Sequence, residues 1–341
     1  MVPLNIVLCY PVEEKHLRKI RQTAGEGFQI INAGQEHVRE ALFQADLFCG
    51  HAKVPVDWDG VVRQGRLRWL QSSAAGMDHC LVPSVIASEI TVTSASGVLA
   101  NQVAEHELAL LLGLLRSLPV FFRAKEKQEF IRRPTNDLYG KKVGIVGLGG
   151  VGRRLAEVLS VFGTTLYAVD MFPIDKPACV KELWGLDKME KLFAECDIIS
   201  LNLPLNASTR NLVDEKLLNK MKRGAILANL ARGGIVDTEA LVEALRSGLL
   251  SGAVMDVTEP EPLPPGHALW DLENVLITPH VGGQCASRID DMTRMFCENL
   301  RRWKAGEPLI NYLSDKSLGF PIRSAEHPLW VDVDKTILWE A

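Results

Sequence analysis

The sequence is poor in the features that mark several large classes of protein. Its seven cysteines (Cys9, Cys49, Cys80, Cys179, Cys196, Cys285 and Cys297) form no C-x-x-C pair. An odd, scattered set gives neither a disulfide framework nor a zinc ribbon, and a reducing compartment suits it. No His/Cys/Asp cluster has metal-ligand spacing, so no metal is expected. Charge of one sign is also missing: 38 Lys plus Arg stand against 42 Asp plus Glu, a formal net charge of −4. That balance removes any global electrostatic reason to expect nucleic acid or an anionic membrane as partner. The longest apolar run, Leu108–Leu115, is less than half of the ~20 residues a membrane span takes. There is no short repeat and no low-complexity tract. Val2–Tyr10 lacks a basic lead and runs into Pro11, so it reads as a first strand rather than a signal peptide. Together these absences point to a cytoplasmic globular protein.

What is present is length and alternation. At 341 residues the chain exceeds the usual single core, which predicts two domains. In the first hundred residues LNIVLCY, FQIIN, ADLFC, LRWLQSS and ITVTS read as short strands, with a helix over Glu13–Ala24. A long helix follows over about Asn101–Ser117, closed by Pro119. Six further strands are predicted at Val143–Val146, Leu166–Asp170, Ile198–Leu203, Ala225–Asn229, Ala253–Asp256 and Val275–Thr278. Helical segments such as Arg153–Phe162, Asp187–Ala194, Glu215–Met221 and Glu239–Arg246 separate most of them, and Ile289–Trp303 reads as an amphipathic helix. Strands alternating with helices predict an α/β protein with two doubly wound parallel sheets. The tail from Tyr312 to Ala341 reads as irregular; its Trp330 and Trp339 favour packing on the protein's own surface.

Two groups of residues carry chemistry. KKVGIVGLGGVGRRLAEVL contains G-x-G-x-x-G as Gly147, Gly149 and Gly152, after an apolar strand and at the start of a helix. The first glycine permits the turn, the second admits a pyrophosphate, and the third lets helix and strand pack closely. Asp170 ends the next strand, 18 residues beyond Gly152, and can accept both ribose hydroxyls of an adenosine. Met171 and Phe172 follow it where a 2′-phosphate would want Arg or Lys, which predicts NAD rather than NADP. The second group is Arg232 in ANLARGGIVD, Asp256 and Glu261 in VMDVTEPEPLP, and His280 in ITPHVGG. Each falls just past a predicted strand, at the edge where ligands bind in open α/β sheets. Singly, each reads as an ordinary loop residue; together they supply an anion clamp, a carboxylate and a proton carrier.

These motifs, with SSAAGMD from Ser72, NQVAEHELALLLGLLR and AGEPLIN in the same order, resemble the D-isomer-specific 2-hydroxyacid dehydrogenases over nearly the whole chain. The resemblance implies a Rossmann NAD-binding domain, residues 101–283, inserted in a flavodoxin-like substrate domain made of 1–100 and 284–341. It implies Arg232, Glu261 and His280 as the catalytic residues, with Arg232 and His280 also touching both cofactor and substrate. For the cofactor it implies backbone at Gly150 and Val151 on the pyrophosphate and Asp256 on the nicotinamide carboxamide. Leu203, Pro204 and Thr209 of LPLNAST, Leu230 and Ala231 beside Arg232, and Gly282 and Gly283 after His280 would line the same site. Ala75, Gly76 and Met77 resemble the loop whose N–H groups grip the substrate carboxylate. The Asn101–Ser117 region would form a homodimer core.

The activity so implied is hydride transfer between NAD(H) and a small 2-keto or D-2-hydroxy acid. Glyoxylate or hydroxypyruvate ranks first as substrate. 3-Phosphoglycerate ranks second, because no regulatory domain is appended and Lys53, Arg66 and Arg68 cannot be placed near a phosphate from sequence. An NAD-sensing corepressor-like binding protein with little turnover is the rival of another class. His106 reads as an interface or supporting residue, His267 as an exposed loop residue, and Cys80 as unreactive.

Overall fold

The computed structural model describes residues 2–173, 175–324 and 326–330. The chain divides into two compact units, Met1–Leu99 with Cys285–Ala341, and Ala100–Gln284. In the first, β1 (Leu4–Cys9), β2 (Phe28–Asn32), β3 (Leu47–Gly50), β4 (Trp69–Ser72) and β5 (Thr91–Thr93) form an all-parallel sheet in the order β2-β1-β3-β4-β5. Ile6, Val7, Leu8 and Cys9 are all fully buried, so both faces of β1 are covered, as parallel sheets require. One face is covered by the helix Arg288–Ala305, which buries Met292, Met295, Phe296, Asn299 and Leu300 and stops at Gly306 in the left-handed conformation. Asn299 ties this late helix to the early strands, donating to Gln71 Oε1 at 2.9 Å. The tail through Trp330 packs on the same unit. Trp330 is 1% exposed, and its backbone N–H donates to Asn311 Oδ1. Trp339 lies outside the described residues.

The second unit holds seven parallel strands: β6 (Lys142–Val146), β7 (Thr165–Val169), β8 (Val180–Trp184), β9 (Ile198–Leu201), β10 (Ala225–Asn229), β11 (Leu250–Met255) and β12 (Val275–Ile277). Their order is β12-β11-β10-β9-β6-β7-β8. The sequence pattern predicts six; the seventh, β8, is an edge strand whose Lys181 and Glu182 are exposed, so it lacks the apolar run of its neighbours. Pro119 is also corrected. Ser117 breaks the chain at φ +56, and Pro119 then sits in the first turn of a new helix, Leu118–Glu126, where a proline lacks nothing. Strand order reverses between β6 and β9, which makes the loop after β6 the switch point at which open sheets take ligands. Among the described residues no helix is long and apolar enough to cross a membrane.

Helix Ala100–Leu115 packs on helix Gly150–Ser160 and on β11 and β12. It carries the fully buried Glu107, whose pKa burial pushes up from 4.5 to about 7, offset only in part by the Ser200 hydroxyl on β9. The unfolded chain ionises this group first, so stability falls as pH rises from about 4.5 to about 7 and stays lowered above that. Glu107→Gln is therefore expected to raise the unfolding free energy at pH 8 by at most on the order of 3 kcal/mol and to change little at pH 4. Denaturant titrations at the two pH values check this; equal gains at both would show that ionisation is not the cause.

Candidate active site

The glycine loop after β6 has the steric form the fingerprint requires. Gly147 lies at φ +91, and a Cβ there would come within 2.5 Å of the Asn202 carbonyl oxygen beyond β9. A Cβ at Gly152 would lie 2.2 Å from the Gly147 oxygen. Gly149, by contrast, is exposed and faces open space, just before helix Gly150–Ser160 begins. A phosphate can approach there without meeting a side chain, against the free N–H groups of a helix start. Asp170 follows β7 with each oxygen fixed by one backbone donor, Leu148 N–H at 2.7 Å and Phe172 N–H at 2.8 Å. A carboxylate has about four acceptor positions, so two stay available to a ribose. These residues fit a dinucleotide.

Sequence reasoning missed one cation at this corner. Arg153, in the first turn of the helix, donates to the Leu148 and Asp175 carbonyl oxygens and pairs with the Asp175 carboxylate at 3.3 Å. Its charge is thus already matched.

Arg232, Glu261 and His280 follow β10, β11 and β12, which are neighbours, so all three loops leave the same edge of the sheet. The arginine turn is shaped by buried Asn229, which donates to the Arg232 carbonyl and accepts from Ala231 N–H. Arg232 itself donates to the Ala231 oxygen at 2.7 Å. Gly233 then passes so close to the next loop that a Cβ would sit 2.0 Å from the Thr258 oxygen. Glu261 Oε1 and His280 Nδ1 are 2.7 Å apart, both side chains nearly half exposed. The carboxylate can only accept, so Nδ1 carries the hydrogen and Nε2 is left to face a reactant.

The other residues singled out from sequence fall as follows. Leu203 and Pro204 are half-buried after β9, and Leu230 is buried while Ala231 is half-buried after β10. The Thr209 hydroxyl is spent inside its own turn, donating to the Pro204 oxygen and accepting from Asn206 N–H. Gly150 and Val151 open the helix after the glycine loop. Gly282 is buried and Gly283 half-buried. Ala75 is exposed, Gly76 half-buried and Met77 buried in the loop after β4, in the first unit. Asp256 is 2% exposed and makes its bonds to the loop that carries His280. His267 is half-buried rather than exposed, because its Nδ1 accepts from Leu269 N–H and caps a short helix. Cys80 is fully buried, and burial pushes its thiol pKa up, which keeps it unreactive.

Comparison with known proteins agrees with this arrangement. A family model described as D-isomer specific 2-hydroxyacid dehydrogenase, NAD binding domain, matches residues 108–282. A glyoxylate reductase of Thermofilum pendens is 35% identical over 253 residues, which span 71% of this chain and 73% of that protein. A D-3-phosphoglycerate dehydrogenase of Methanocaldococcus jannaschii is 28% identical over 316 residues, 91% of this chain and 59% of the relative. The crystal structure of a glyoxylate reductase from Paecilomyes thermophila matches with a TM-score of 0.80 at 26% identity, covering 93% of this chain and 100% of that one. The chain therefore belongs to the D-isomer specific 2-hydroxyacid dehydrogenase family and is an NAD-dependent oxidoreductase acting on the CH–OH group of its donor.

Proposed function

We propose that the protein reduces a small unphosphorylated 2-keto acid, glyoxylate or hydroxypyruvate, to the 2-hydroxy acid, which for hydroxypyruvate is the D isomer. The observation that carries this reading is the Glu261–His280 pair at 2.7 Å, on the same sheet edge as the Arg232 turn. Arg232 offers a planar two-pronged donor that matches a carboxylate and polarises the neighbouring carbonyl. Bound NADH supplies the hydride. The charged imidazole of His280 gives the Nε2 proton to the developing alkoxide, while Glu261 holds the ring in place through Nδ1. Asp256 retains one acceptor position on Oδ2 for a carboxamide, after its bonds to Thr278, Val281 and Gly282. The loop Ala75–Met77 is assigned to the substrate carboxylate by resemblance.

An unphosphorylated substrate is favoured by the placement of the cations. Arg66 and Arg68 precede β4, at the N-terminal edge of the first sheet, and Arg66 is paired with Asp46 at 3.0 Å. Only Lys53 of the three follows the C-terminal end of a strand. The test is NADH consumption against glyoxylate, hydroxypyruvate and 3-phosphohydroxypyruvate, repeated with NADPH. Preference for the phosphorylated acid would overturn the substrate assignment, and negligible turnover of all three would favour a binding protein that senses NAD.

Asp170, with no unpaired cation beside it among the described residues, supports NADH over NADPH. Asp170→Ala is expected to erode that preference in kcat/KM by roughly 10- to 100-fold, the worth of hydrogen bonds to a charged acceptor. Equal use of both cofactors by the wild type would remove Asp170 from this role. A homodimer is also part of the reading. The exposed apolar side chains Leu118, Phe122, Phe130, Ile131 and Tyr139 follow the Asn101–Ser117 region in the sequence, and sedimentation velocity at micromolar concentration should show a dimer. A cytoplasmic location accords with the free cysteines.

A further inference from the structure

The loop that carries His280 is clasped from both sides by one buried carboxylate. Asp256 Oδ1 accepts from the Thr278 hydroxyl at 2.6 Å and from Val281 N–H at 2.9 Å, and Oδ2 accepts from Gly282 N–H at 2.8 Å. The carbonyl oxygen of Asp256 takes the N–H of His280 itself at 2.8 Å. Room for this is made by Gly282, where a Cβ would stand 2.9 Å from Asp256 Oδ2. His280 lies at φ +54, in the left-handed region. That conformation costs a residue with a Cβ on the order of 1–3 kcal/mol and persists only where the surroundings over-determine it. The bonds around Asp256 are what over-determine it here.

A residue from outside the loop completes the clasp. His106, on helix Ala100–Leu115, holds Nε2 at 2.9 Å from Thr278 Oγ1 and 3.5 Å from Asp256 Oδ1. The Thr278 proton is directed at Asp256, so its oxygen can only accept from the histidine, which fixes His106 with hydrogen on Nε2. The helix that bears it packs against both β11 and β12, the strands that launch Asp256 and His280. Pulling His106 away would leave Thr278 and a 2%-exposed carboxylate short of a donor.

We propose that His106 is a positioning residue for the reaction, acting through Thr278 and Asp256 to lock the backbone of His280. The inference rests on the assignment of His280 as proton donor. Four variants test it: His106→Leu, His106→Gln, Thr278→Val and Thr278→Ser. In His106→Leu and Thr278→Val, kcat should fall about tenfold or more, while KM for the keto acid and the NADH dissociation constant stay within about twofold. Thr278→Ser, which keeps the hydroxyl, and His106→Gln, which keeps an N–H donor, should recover most of the rate.

A second readout needs no turnover. Long-range ¹H–¹⁵N spectra of the apoprotein labelled at histidine should show His106 with hydrogen on Nε2. The His280 resonances, identified with His280→Gln, should move in Thr278→Val and stay in Thr278→Ser. If His106→Leu does not fold, the Thr278 pair carries the test: Thr278→Val should depart from wild type in both readouts while Thr278→Ser and His106→Gln do not. Unchanged kcat and unchanged His280 resonances in the folded variants would overturn the proposal. So would a loss confined to NADH affinity, which would make Asp256 a cofactor ligand alone. If the wild type turns over no 2-keto acid, the assigned reaction fails, and the imidazole spectra still decide the clasp.

Discussion

Replacing His280 with glutamine is expected to lower kcat for keto-acid reduction by roughly 10²- to 10⁴-fold, the usual worth of a positioned general acid. Glutamine keeps a polar side chain of similar reach and suffers the same left-handed backbone at φ +54. It cannot give up a proton and recover it, however, so the developing alkoxide has to draw on water. The NADH dissociation constant should stay within about twofold, because the proposed dinucleotide contacts lie at Gly147–Gly152 and Asp170, away from this side chain. Stability should also change little, since the Glu261–His280 pair is nearly half exposed on both sides and exposed pairs contribute little. Single-turnover oxidation of NADH is the proper measurement, because product release then plays no part. A rate within tenfold of wild type would mean that the proton comes from elsewhere.

Arg232→Lys should strike binding and rate together. The guanidinium is already aimed by its bond to the Ala231 oxygen and by the Asn229 bonds that shape the turn. Lysine keeps the charge but offers a point donor on a flexible stem, so one of two parallel bonds to the carboxylate is lost. A charge-assisted bond is worth about 1.5–3 kcal/mol, which converts to a rise in KM of roughly 10- to 100-fold, with kcat falling as the carbonyl is less well held. An unchanged KM for every accepted keto acid would take Arg232 out of the substrate site.

How much of this was legible in the sequence depended on whether a residue's surroundings repeat a simple pattern. Eleven of the twelve strands among the described residues stand out as short apolar runs because parallel sheets are covered on both faces. Val180–Trp184 does not, since an edge strand can leave Lys181 and Glu182 in water. Arg232, Glu261 and His280 are legible as strand-end residues. Their order in space follows from the sheet, yet the 2.7 Å bond between Glu261 and His280 depends on loop shapes that no spacing reveals. Asp256 is legible as a polar residue ending a strand, but not as the clasp around the next loop. Thr209 looks like a cofactor contact, and its hydroxyl is consumed by the turn that holds it. His106 is the hardest case. Its partners Thr278 and Asp256 are 172 and 150 positions away, and only the packing of its helix over β11 and β12 brings them together.

The near-contact at Gly233 bears on how such an enzyme acquires new substrates. Backbone atoms of Thr258 and Glu259 stand where any side chain at 233 would begin, so the arginine turn and the acidic loop form one interlocked piece. A substitution that shifts either one carries the other with it, and with it the alignment of the proposed catalytic set. Selection for a bulkier or differently charged acid should therefore accumulate changes outside residues 229–234 and 256–261, in surfaces that can be reshaped one side chain at a time. In a library randomised over the whole chain, those two stretches should come back almost untouched, or altered together.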